Sequence, residues 1–267
     1  MEIKTNSIYH WNCIDIMKSM EDFSVDLTVT SPPYDDLRNY KWYHFPFEEI
    51  ANELFRITKK WWVVVWVVWD KVKNWNKSLT SFRQALYFQE IGFNVHDTMI
   101  YKKKNTPFMR SNWYTNCFEW MFVFSKWKPK TFNPITTSTV RQWFEPMPVN
   151  KWPDWINNKV LRELKSEKNL TNIWEYAVWL HWTTSDKFAF EHTAMFPEKL
   201  AEDHIISRTN LWDIIFDPMC GAWTTCKMAK KNKRHYIWCD ISEEYVNIAK
   251  QRVDTIQNLQ DSQSLFS

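Results

Sequence analysis

Asp213-Ile214-Ile215-Phe216-Asp217-Pro218-Met219-Cys220-Gly221-Ala222-Trp223-Thr224-Thr225 is the stretch that decides the fold. Apolar residues run into an Asp-Pro turn, a glycine follows, and two threonines open a helical pattern over Thr224–Lys231. Such a strand, tight loop and helix start lets a bound group approach the backbone, while Asp217 and the unpaired N–H groups of the helix meet its polar atoms. The next strand, His235–Cys239, runs into Asp240, the acidic position that suits a ribose diol. A lone glycine loop would say little. The series strand, loop, helix, strand, Asp reads as half of a cofactor-binding α/β domain.

Upstream, the same alternation continues. Asp26–Thr30 reads as a short buried strand, Phe47–Thr58 as a helix with apolar residues at i, i+3, i+4 and i+7, and Ser78–Ile91 as another helix. Lys60–Asp70 is a Val-rich run of the kind buried on both faces of a parallel sheet. Strands are expected at Phe93–Tyr101 and Cys117–Ser125, and helices at Pro197–Ser207 and Glu243–Ile256. Strands and helices in alternation mean a doubly wound α/β sheet. Residues 126–186 break the pattern with a polar, Pro-containing and Lys-rich tract, read as an inserted lobe between a catalytic half at 1–125 and a cofactor-binding half at 187–257. Residues 258–267 read as a polar tail.

The chain has 267 residues and a net charge of +3, which permits a polyanionic partner without requiring one. Its longest apolar run, Trp61–Trp69, is far short of the roughly 20 residues that span a bilayer. The first ten residues carry no secretory pattern, so the expected location is cytoplasmic. The five cysteines show no CxxC or Cys/His spacing and read as reduced thiols, with no metal site expected.

Two counts are abnormal. Glycine occurs 2 times and tryptophan 19 times, whereas usual composition would give roughly 19 glycines. Tryptophan stands where chain geometry asks for glycine at positions 61, 62, 127 and 223. One account covers both counts: the gene uses UGA for glycine, and translation by another code writes tryptophan. The alternative, a protein truly rich in tryptophan, would forgo the φ > 0 freedom that turns take from glycine.

Thr30-Ser31-Pro32-Pro33-Tyr34 follows a strand directly. Ser31 and the carbonyl of Pro32 can accept both N–H bonds of an exocyclic amino group, drawing its nitrogen out of conjugation with the ring. The prolines fix φ and leave carbonyls outside the strand ladder. Tyr34 offers a stacking face for a base turned out of a helix. The plainer reading is a Pro-Pro turn that ends a strand.

Together the two motifs resemble the S-adenosylmethionine-dependent DNA amino-methyltransferases, and more closely their permuted beta class, in which the catalytic motif precedes the cofactor loop. Trp11-Asn12-Cys13-Ile14-Asp15 looks like the family's GDCLE segment, with Asn12 in place of Asp. Asp97–Lys126, through its end Phe118–Lys126, looks like its FEYIFVFSKG strand, and His192-Thr193-Ala194-Met195-Phe196-Pro197-Glu198-Lys199-Leu200 like its HPTxKPxxL segment, with Phe196 in place of Lys. Glycine at positions 11, 61, 62, 127, 223 and 238 improves the match to the family at each one, whereas Trp66 and Trp174 fit it as tryptophan.

The resemblance implies a Rossmann-like methyltransferase sheet with circularly permuted motifs and a target-recognition insertion. It implies catalysis by Ser31, Pro32, Pro33 and Tyr34 on a flipped base, the amino nitrogen attacking the donor methyl in line with no cysteine nucleophile. It assigns the cofactor to Asn12, Cys13, His192, Phe196, Asp217, Pro218, Cys220, Gly221, Trp223, Thr224, Thr225 and Asp240. The partner is double-stranded DNA, with Arg38, Lys102, Lys103, Lys104 and Arg110 as candidate contacts to phosphates; for these the alternative is a solvated loop. A cognate restriction endonuclease and a homodimer are compatible with the class and fixed by nothing in the sequence. Serine at the first motif position is commoner in N4-cytosine members, so cytosine N4 is the expected target and adenine N6 the alternative. Two other readings are a DNA-binding module without catalysis, should Trp223 fill the cofactor loop, and a methyltransferase of RNA or of a protein amide.

Overall fold

The Val-rich run sits in the middle of a mixed sheet. The computed structural model of the chain describes residues 2–33, 45–105, 112, 114–139, 145–150, 157–162, 165–177, 197–219, 221 and 224–250. In chain order the elements begin with β1 (Ser7–His10), α1 (Cys13–Ser19), β2 (Val25–Thr30), α2 (Phe47–Ile57) and β3 (Thr58–Val68). A small hairpin, β4 (Val72–Lys73) and β5 (Asn76–Lys77), precedes α3 (Thr80–Glu90), β6 (Asn94–Lys103) and β7 (Phe118–Ser125). Next come β8 (Thr136–Ser138), β9 (Glu145–Asn150), β10 (Asn157–Arg162) and β11 (Glu167–Asn169). The chain continues with β12 (Ile173–Tyr176), α4 (Glu198–Arg208), β13 (Ile214–Asp217), α5 (Thr224–Lys231) and β14 (His235–Asp240), and residues 243–250 are helical.

Eight strands form the main sheet in the order β1-β14-β13-β2-β3-β7-β6-β12. All neighbours pair in parallel except β7, which is antiparallel to β3 and to β6. The run read as a strand of a parallel sheet is therefore parallel on its β2 side only. β7 follows β6 in the chain and returns beside it in the opposite direction.

Alternation along the strands gives the sheet two packed faces. On one, Val64, Trp66, Phe122, Phe124, Phe216 and Ile237 pack with Ile14, Met17, Ile50, Leu54, Ile57 and Phe88 of α1, α2 and α3. Each such side chain, fully buried, contributes about 1.5–3 kcal/mol. Trp66 anchors this layer: its indole N–H donates to Gln84 at 2.9 Å and its ring meets Phe47 and Phe88 edge-on at 5.9 and 5.2 Å. On the other face lie α4 and α5. Buried His204 stacks on Trp174 at 4.7 Å and approaches Met121 Sδ at 3.4 Å, Tyr176 donates to Asp203 at 2.8 Å, and Lys227 of α5 pairs with Glu198 of α4 at 2.7 Å.

Buried charges fasten the sheet. Asp26 on β2 accepts from Lys59 Nζ at 2.8 and 2.9 Å and from the backbone N–H of Ile214 at 2.8 Å, linking β2, β3 and β13. Lys126, after β7, donates to the carbonyls of Phe55 and Thr58 at the end of α2, where helix carbonyls lack partners.

Pro134–Thr171 forms a compact unit of its own, with β8 antiparallel to β11 and β9 antiparallel to β10. It falls inside the tract read as an insertion. The end of that tract supplies β12, whose Trp174 and Tyr176 are buried at the edge of the main sheet. The 258–267 tail lies outside the described residues.

Candidate active site

Four parallel strands end at one edge, where an open α/β sheet binds ligands. Asp217 closes β13, Asp240 closes β14, Ser31 follows β2 and Trp11 follows β1. The pairing of Asp217 with Trp238 sets Asp240 two residues further along the neighbouring strand. His10 pairs with Asp240, and the N–H of Trp11 donates to the Asp240 carbonyl at 3.0 Å, which brings the β1–α1 turn beside Asp240.

The Asp240 carboxylate accepts from the backbone N–H of Gly221 at 3.1 Å and from that of Ser242 at 2.8 Å. Burial pushes its pKa up, against the pull of these N–H groups. Two accepted bonds leave lone pairs on the carboxylate for further donors. Asp217, almost fully buried, accepts from the N–H of Met219 at 3.2 Å, which shapes the turn through Pro218. Gly221, at φ +47°, carries the loop. Two carboxylates at adjacent strand ends, joined through a glycine turn to a helix start, form an acceptor set suited to the hydroxyl and amino groups of a nucleoside.

The other cofactor candidates divide. Asn12 caps α1, accepting from the N–H of Ile14 at 2.9 Å. Cys13 is buried beside it, and burial pushes its thiol up to about 12. Thr224 and Thr225 are buried, and the Thr225 hydroxyl donates to the Val29 carbonyl at 3.2 Å, tying α5 to β2. Ser31, Pro32 and Pro33 leave β2 directly, with Pro32 buried. Tyr34, Arg38, Arg110, His192, Phe196, Cys220 and Trp223 lie outside the described residues.

Of the three lysines expected at phosphates, Lys104 is exposed, and Lys102 forms a surface pair with Glu175 at 3.5 Å. Lys103 binds Glu119 at 2.7 Å with its ammonium over the Trp69 ring at 5.3 Å. The sequence reading did not foresee that pair, because Glu119 lies on the antiparallel neighbour β7. The opposition of Tyr101 and Glu119 creates it. His10 was also missed as a neighbour of Asp240. Its signal was its place at the end of a short apolar pair, Ile8-Tyr9.

Fold and edge thus define an α/β domain built for a nucleoside-bearing cofactor, and the comparisons narrow the class. The family model described as DNA methylase, covering N6 and N4 amino-methyltransferases, matches residues 25–251. The chain is 49% identical over 254 residues to the orphan methyltransferase M.BamHII of Bacillus amyloliquefaciens, covering 88% of this chain and 91% of that one. Among solved structures it resembles PvuII DNA methyltransferase (cytosine-N4-specific), with a TM-score of 0.69 at 18% identity over 94% of this chain and 87% of that one. It also resembles a DNA modification methylase of Thermus thermophilus, TTHA0409, complexed with S-adenosyl-L-methionine, with a TM-score of 0.58 at 18% identity over 92% and 93%. The chain belongs to the N6/N4 DNA methylase family: it is a DNA methyltransferase that uses S-adenosylmethionine.

Proposed function

We propose that the enzyme methylates the N4 amino group of cytosine in duplex DNA, with Ser31, Pro32, Pro33 and Tyr34 around the target base. The observation that carries this reading is the shared strand edge: β2 and β13 are parallel neighbours, with Thr28 opposite Phe216, so the Ser31-Pro32 turn and the Asp217-Pro218 turn leave the sheet side by side. An amino group held at the first turn then faces a cofactor held at the second.

When bound, S-adenosylmethionine supplies an electrophilic methyl group. Asp240 accepts hydroxyl donors of the ribose, the Gly221 turn admits the cofactor to the backbone, and Asp217 shapes that turn. Ser31 Oγ and the Pro32 carbonyl accept the two N–H bonds of the cytosine amino group and turn its lone pair outward. Catalysis comes from orientation and placed dipoles, with no covalent enzyme intermediate. What supports cytosine over adenine is the resemblance, since serine at this motif position is commoner in the family's N4-cytosine members. Arg38, Lys102, Lys104 and Arg110 are the proposed contacts to phosphates, with Lys103 held by Glu119; residues 126–186 are the proposed target-recognition region, and the cytoplasm is the proposed compartment.

The test is to incubate the enzyme with unmethylated duplex DNA and labelled donor, digest to nucleosides and separate them by mass. N4-methylcytosine is expected. N6-methyladenine would move the assignment to the alternative target. Label in RNA alone, or in neither base, would overturn the reading in favour of another substrate or a binding module.

A further inference from the structure

We propose that the protein made in its own host carries glycine at the positions written here as Trp61, Trp75, Trp127 and Trp212, through a codon decoded there as glycine. The inference rests on backbone geometry and is independent of which base is methylated.

Trp75 gives the sharpest case. β4 and β5 pair Val72 with Lys77 and Lys73 with Asn76, leaving Asn74 and Trp75 as a two-residue loop. Both have positive φ, +50° and +63°, which is the condition of a type I′ turn. Asn-Gly is the favoured pair in that turn, because two successive residues must take a left-handed conformation that glycine enters freely. Here an asparagine stands first and the largest side chain second.

Trp212 repeats the argument in another turn. Asp213 N–H donates to the Asn210 carbonyl at 3.4 Å, so Trp212 is the third residue of the turn, and its φ is +72°. Positive φ at that position defines the type II form, which calls for glycine. Trp61 and Trp127 meet where β3 begins and β7 has ended. Val25 pairs with Thr58 and Leu27 with Val63, so β3 bulges between, and Trp61 takes φ +71° in the bulge. Its N–H donates to the Lys126 carbonyl at 2.6 Å, and the next residue, Trp127, has φ +75°.

All four indoles are largely exposed, at 49–75%. Trp66 and Trp174, at 0% and 8%, have no positive φ. The described tryptophans thus include one set in glycine conformations at the surface and another that fills the core. Of the positions singled out from sequence, Trp61 and Trp127 carry the conformational signal, whereas Trp11, Trp62 and Trp238 are not among the residues with positive φ. Trp75 and Trp212 are added by the structure.

Peptide mass spectrometry of the protein purified from the organism that encodes it reads the answer directly. Glycine at 61, 75, 127 and 212, with tryptophan at 66 and 174, is expected; tryptophan at all six positions overturns the proposal. Recombinant chains give a second readout. The combined variant W61G/W75G/W127G/W212G should melt roughly 10 °C or more above the chain as written, by release of left-handed strain, whereas W66G should melt below it. A combined variant that melts at or below the chain as written overturns the proposal. Neither readout involves methyl transfer, so failure here leaves the enzymatic reading standing.

Discussion

Gly221 and Asp240 tie two strand ends together: the Gly221 N–H donates to the Asp240 carboxylate at 3.1 Å, joining the turn after β13 to the tip of β14. One carboxylate thus shapes the glycine turn and presents its remaining lone pairs outward. Asp240→Asn keeps the size of the side chain and removes its charge. S-adenosylmethionine binding should weaken by about 10–100-fold, the worth of a charged hydrogen bond. Calorimetric titration checks this, and the melting temperature should change little.

Ser31 leaves β2 beside the Asp217 turn and is assigned to the target base. Ser31→Ala should lower kcat by about 100-fold, in line with the loss of one placed polar group, while cofactor affinity stays within about twofold. Single-turnover methylation alongside donor titration separates the two. A variant that loses donor binding instead would move Ser31 out of the role given to it.

The sequence revealed the central strand because burial on both faces leaves a long apolar run within Thr58–Val68, whereas Val25–Thr30 and Ile214–Asp217 were legible from the Ser-Pro-Pro and Asp-Pro turns they run into. It hid β1, whose four residues are only partly buried, and β12, whose Ile-Trp-Glu-Tyr alternation sits within a polar tract. The β4–β5 hairpin was illegible for a different reason, since Asn74-Trp75 conceals the usual Asn-Gly signal. At the site, Asp217 and Asp240 were readable from their place after strands. The bond from Thr225 to Val29 and the capture of Lys103 by Glu119 were not, because both depend on neighbours distant in sequence.

His204 is fully buried against Trp174 and Met121, and burial, with the charge of Arg208 behind it, pushes its pKa well below the ordinary value. The unfolded chain protonates near pH 6.5, so below that point the unfolded state binds a proton that the folded state refuses. Stability should fall with decreasing pH from about 6.5, by up to about 1.4 kcal/mol per unit from this group. His96 of β6, more exposed but shifted in the same direction, adds to the trend. Denaturant titrations at stepped pH should show the slope, and His204→Leu should flatten it.

Asp26 is nine-tenths buried and joins three strands through Lys59 and the N–H of Ile214. Asp26→Ala leaves both donors without that acceptor and should cost about 3 kcal/mol of unfolding free energy. Asp26→Asn, which still accepts one bond, should cost less. Urea unfolding of the two variants measures the difference, and equal losses would place the cost in packing.

Cys13, buried at the start of α1, is close enough to Asp240 to feel its charge. Burial pushes its thiol up to about 12, with Asp240 and Asp15 adding to the shift. At pH 8 such a group is thiolate in about one molecule in ten thousand, and the thiolate is the reactive form. Direct transfer to an amino nitrogen has no use for it. Cys13→Ala should therefore keep kcat and donor affinity within about threefold while losing about 1 kcal/mol of stability from the packing defect. Steady-state methylation and urea unfolding check both halves. A fall in kcat of a hundredfold or more with the fold intact would show that the thiol takes part in the chemistry, and would overturn the direct-transfer mechanism.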